Sequence, residues 1–116
     1  MTPVMTEDDF REIALGLDGA VEGSHMGHPD FRANGRIFAS LHNNDTTGMV
    51  ALTPDQQAEF LRGHPTMFEP SAGAWGRQGA TTVKLAAAKR PAVRSAMLLA
   101  YQSVMDKPKA RPRKTR

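Results

Sequence analysis

The chain has 116 residues, enough for one domain with its own core, and 23% charged against 40% apolar side chains is an ordinary balance for a folded protein. It contains no cysteine, which excludes a disulfide framework, thiolate metal centres and cysteine nucleophiles. The net charge of +3 hides a split. Residues 1–106 hold nine basic and twelve acidic side chains, a net of −3, whereas residues 107–116 carry +6 and no acid.

Taken in chain order, Thr6 followed by Glu7, Asp8 and Asp9 reads as a helix cap with acids in the first turn, where the helix dipole favours them. Phe10, Ile13, Ala14 and Leu17 follow at helical spacing, so a helix is predicted over 6–17. Residues 20–52 break into short runs. Asn34-Gly35 is the strongest hairpin signal, since both residues tolerate positive φ. It joins a strand at 30–33 to one at 36–41, pairing Ala33 with Arg36, Arg32 with Ile37 and Phe31 with Phe38. Both faces of this hairpin carry apolar side chains, and the pattern leaves open which one the helices cover. Residues 48–52 read as the next strand.

Thr53-Pro54-Asp55-Gln56 predicts a capped helix over 54–62, ended by Gly63 and His64-Pro65. A glycine-rich loop follows, then a strand at 81–85 and a third helix opened by Pro91. The expected fold is α+β: an antiparallel sheet of about four to five strands with three helices packed on it. No two helices sit across a short turn, which argues against a helix-turn-helix. The expected organisation is one domain over 1–106 and a basic tail over 107–116, whose prolines and like charges disfavour structure. The longest apolar run, 96–101, is too short to cross a bilayer. The acidic N-terminal stretch lacks a signal-peptide pattern, so a cytoplasmic protein is expected.

Four groups of residues could carry chemistry. Glu22, His25 and His28 have a spacing that invites a metal reading; on one continuous strand Glu22 and His28 would share a face and His25 would point away. A turn at Gly27 would instead bring the two histidines together. Ser24, His25 and Asp30 have the residue types of a hydrolytic triad but no nucleophile elbow. Residues 73–79 hold the sole tryptophan, Trp75, with Arg77 among three glycines, either as a loop reaching a ligand or as a loop whose tryptophan folds back into the core. The tail cations Lys107, Lys109, Arg111, Arg113, Lys114 and Arg116 suit salt-dependent phosphate binding.

Several blocks together resemble the MmcQ/YjbR family: His28-Pro29-Asp30-Phe31-Arg32, Gly35-Arg36-Ile37-Phe38-Ala39 and Val50-Ala51-Leu52, then Trp75 ahead of Thr82-Val83-Lys84-Leu85, and Ala100-Tyr101 in the last helix. The match spans roughly residues 6–106. It implies a CyaY-like, double-wing α/β domain and DNA binding. Family members often carry lysine at the Arg36 position, Ser-Tyr at Ala100-Tyr101, and a shorter link from tryptophan into the strand. The tail lies outside the match.

The leading expectation is a DNA-binding protein of low sequence specificity, with Arg32, Arg36, Arg77 and Lys84 on the domain and the tail adding electrostatic attraction. One alternative is a small-ligand or metal-binding pocket, enzymatic or not, formed by Glu22, His25, His28 and Trp75. A second is an adaptor pairing through Phe38 and Met49. No membrane partner, cofactor or catalytic residue is expected.

Overall fold

The computed structural model describes residues 5–42 and 46–108. The elements run α1 (Glu7–Leu15), β1 (Val21–His25), β2 (His28–Ala33), β3 (Arg36–His42), β4 (Thr47–Ala51), α2 (Pro54–Gly63), β5 (Phe68–Pro70), α3 (Gly73–Arg77), β6 (Ala80–Lys84) and α4 (Arg90–Met105). The strands form one antiparallel sheet in the order β1-β2-β3-β4-β6-β5. The fold is α+β, with more elements than the sequence announces.

The starts of α1 and α2 follow the local chemistry. Thr6 and Asp9 exchange side-chain and backbone hydrogen bonds at 3.1 and 2.9 Å, and Thr53 does the same with Gln56 at 3.2 and 3.0 Å. The first helix stops at Leu15, two residues short of its periodic pattern, with Gly16 as its C-cap. Asn34 and Gly35 adopt φ of 55° and 73°, as the hairpin signal requires.

The pairing beyond that turn departs from expectation. Ala33 faces Arg36 and Arg32 faces Ile37, but Phe31 lies opposite Ala39 and Asp30 opposite Ser40. Phe38 is therefore the extra residue of a β-bulge, and the expected Phe31–Phe38 pair does not form. The bulge lets both phenylalanines turn inward. Phe31 meets Phe10 of α1 at 6.0 Å and Phe38 meets Tyr101 of α4 at 5.7 Å, and both are fully buried. Burying two such side chains contributes roughly 1.5–3 kcal/mol each.

These contacts settle which face the helices cover. Phe31, Ala33, Ala39, Leu41, Val50 and Val83 form the inner face against α1 and α4. The outer face carries Asp30, Arg32, Ser40, Met49, Thr82 and their neighbours in register. Phe38 and Met49 thus do not share an exposed face, and the adaptor surface expected from that pair is absent. Gly48 sits on the inner face directly beneath the Phe10 ring, where an added Cβ would come within 2.6 Å of it.

The stretch expected to be a loop holds a three-residue strand, β5, and the five-residue α3. Gly76 is buried there, and a Cβ at this position would collide with the Ser71 carbonyl oxygen. Gln57 of α2 pins this segment, its side-chain amide donating to the carbonyls of Gly76 and Ala80 at 2.9 Å each. No described helix is long and apolar enough to cross a membrane.

Candidate functional site

The outer face of β1, β2 and β3 gathers the chemistry. Met26 and Gly27, at φ of 51° and 79°, make a second two-residue turn, and His25 pairs directly with His28 across it. Both imidazoles therefore stand on one face, with ring centroids 6.5 Å apart. Glu22 goes the other way and pairs with Arg11 of α1 at 2.9 Å. The continuous-strand expectation, with Glu22 beside His28 and His25 opposed, is corrected by this turn.

The β3 bulge adds a third histidine. Without the extra residue His28 would stand opposite Leu41; with it, His42 takes that place, and its ring lies 5.0 Å from that of His28. His42 in turn faces Thr47, and Thr47 faces Lys84. One row across five strands thus reads His25, His28, His42, Thr47, Lys84. Sequence reasoning missed His42, a lone histidine fourteen positions from His28.

A second row supports the first from within the sheet. Asp30 has no exposed surface, and it accepts hydrogen bonds from Arg32 at 2.7 and 3.0 Å. Its other partner is His25 Nδ1 at 2.7 Å. The Arg32 guanidinium, and His25 after it, hold the Asp30 carboxyl below the usual carboxylate range, while burial opposes them. With Nδ1 on the carboxylate, His25 turns Nε2 outward. Ser40, also buried, meets His42 Nε2 at 2.5 Å. Burial, together with the neighbouring His28 and His25, lowers the pKa of His42, so the neutral ring is favoured. Among the described residues no three histidine or carboxylate side chains form a metal-holding group, and no buried side-chain polar atom is left without a partner.

The remaining sequence candidates scatter. Trp75 stands 73% exposed on α3, near the opposite edge of the sheet from β1, so it is not a core plug. Glu22, His25, His28 and Trp75 do not converge on one pocket. Ser24 is exposed on the face opposite His25, so no triad forms with Asp30.

The domain cations are mostly engaged. Arg32 is committed to Asp30, Lys84 pairs with Glu69 at 3.2 Å, and Arg36 donates to the Pro108 carbonyl at 2.7 Å. Arg77 is exposed and makes no ion pair among the described residues. Lys107 is exposed beyond the end of α4; Lys109, Arg111, Arg113, Lys114 and Arg116 lie outside the described residues.

No family model and no curated protein matches the sequence. The fold is similar to the crystal structure of Deinococcus radiodurans protein DR2400, a DUF419 domain. The TM-score is 0.75 at 19% identity, over 91% of this chain and 83% of that one. At that identity the likeness defines the fold class.

Proposed function

We propose that this chain is a DNA-binding protein of the MmcQ/YjbR type that engages the duplex backbone mainly through its basic C-terminal arm. The observation that carries the reading is the anchoring of that arm. Asn34 Nδ2 donates to the carbonyls of Val104 and Lys107 at 2.8 and 3.0 Å, and Arg36 donates to Pro108. The hairpin turn therefore holds the point from which six cations begin. Arg32 and Lys84 each already face a carboxylate, which argues against a sheet-centred phosphate site. The blocks that resemble the family fall on β2, β3, β4, β6 and α4, in the same order as in the resemblance.

Phosphate binding by a basic arm is sequence-independent and releases counterions, so affinity must fall steeply with salt. Fluorescence anisotropy of a labelled duplex, titrated at two salt concentrations, tests this. The intact chain is expected to bind with a log–log salt slope of up to about −5, set by roughly six phosphate contacts. Alanine at Lys109, Arg111, Arg113, Lys114 and Arg116 together is expected to remove most of the affinity and most of the slope. Binding unchanged by that replacement would overturn the reading.

A further inference from the structure

We propose that the outer-face row of His25, His28 and His42 is a proton-gated binding site for phosphate-bearing anions. The site goes beyond the basic arm and does not depend on it.

Three features of the geometry converge. First, strand pairing alone places the imidazoles side by side, with ring separations of 6.5 and 5.0 Å. Adjacent strands lie about 4.8 Å apart, so each ring has its neighbour within reach of a single oxyanion. Second, buried groups orient two of the rings: Asp30 holds His25 by Nδ1 and Ser40 holds His42 by Nε2. This fixes an outward His25 Nε2 and leaves His42 Nδ1 uncommitted to Ser40. Third, among the described residues the row has no free counter-charge. β1 offers no acid on this face, since Glu22 is paired with Arg11 on the other side. On β2 the carboxylate of Asp30 is held by Arg32 and His25, and Arg32 is thereby neutralised. β3 contributes His42 and the buried Ser40 hydroxyl, and β4 contributes Thr47 and Met49. On β6 and β5, Lys84 and Glu69 pair with each other.

Neutral imidazoles at this spacing are poor anion hosts, and protonated ones repel. A phosphate bridging them converts that repulsion into attraction, so proton uptake and anion binding are linked. The hydroxyl of Thr47, between His42 and Lys84 in the row, offers a further donor.

The test is imidazole-resolved NMR on the intact chain, titrated with inorganic pyrophosphate at pH 7.5 and 5.5. Signals of His25, His28 and His42 are expected to move, while that of His64, packed with Phe60 on α2, stays. Affinity is expected to rise at least ~10-fold at the lower pH, within the ~100-fold limit that linkage to one proton sets over two pH units. The double variant His28→Gln, His42→Gln is expected to lose binding. A chain neutralised at the five tail cations separates the sources. If it also takes a labelled oligonucleotide at pH 5.5, the site accepts phosphodiesters; binding of pyrophosphate alone assigns it to free phosphates. Equal movement of His64, affinity independent of pH, or binding retained in the double variant would each overturn the proposal.

Discussion

Asn34 donates a 2.8 Å hydrogen bond to the carbonyl of Val104, joining the β2–β3 turn to the end of α4 across seventy positions of sequence. The same side-chain nitrogen reaches Lys107. A residue that builds a left-handed turn through its backbone thus also closes the last turn of the longest helix through its amide, adding a side-chain donor to a carbonyl that the N–H groups of Asp106 and Lys107 also approach. It ties the folded body to the start of the basic segment.

Asn34→Gly separates those two roles, because glycine keeps the positive φ and deletes the amide. Loss of the two bonds is expected to cost about 1–2 kcal/mol. Urea unfolding reads the loss, and amide exchange should accelerate first at residues 104–107. Uniform exchange across the chain would contradict the anchoring role.

Asp30 is buried and charged, with Arg32 and His25 as its partners, and its pKa lies below the ordinary 3.8. Its stabilising contribution is therefore complete above that value and is lost as pH falls through the lower, folded-state pKa. Asp30→Asn keeps the shape but removes the charge. The variant is expected to be less stable at neutral pH by about 1–3 kcal/mol, with a shallower acid limb in a pH series of melts.

His42 follows the same sign with a different window. Its pKa is lowered from 6.5, so the folded state disfavours its protonation. The stability it contributes is complete above 6.5 and declines as pH falls below it, toward the folded-state value. Melts of the intact chain and of His42→Gln between about pH 7 and pH 5 should diverge, with the glutamine variant flatter. Parallel curves would show that the ring titrates as it would in an unfolded chain.

Gly48 has no room for a side chain, since a Cβ would meet the Phe10 ring at 2.6 Å. Gly48→Ala is expected to destabilise by about 1–3 kcal/mol through displacement of that ring. Gly63→Ala, at a position where a Cβ meets nothing within 4 Å, is expected to be neutral or slightly stabilising. Thermal unfolding of the two variants side by side makes the comparison.

Much of this architecture is written locally and could be read. Thr6 and Thr53 cap their helices with their own neighbours, and Asn34-Gly35 encodes its turn in two residues. What escaped reading depends on long-range geometry. A turn at Gly27 is one of two readings the sequence offers, and nothing local decides for it, because methionine rarely takes the positive φ that Met26 adopts. Nothing around Phe38 announces a bulge, yet that single residue reverses which of Leu41 and His42 faces outward. The glycines at 73, 76 and 79 read as a loop, although Gly76 is needed for close packing of α3 against Ser71. Trp75 is legible as unusual in composition, but its exposure follows only from how Gln57 and Gly76 set the helix.

The anchored arm is tested most directly by mapping ¹⁵N-labelled intact chain with an unlabelled DNA duplex at low salt. Amide shifts are expected to concentrate at Asn34, Gly35, Arg36 and the segment from Val104 onward, and to collapse when salt is raised. Shifts centred on Trp75 and Arg77, or the absence of any shift at saturating duplex, would contradict the account.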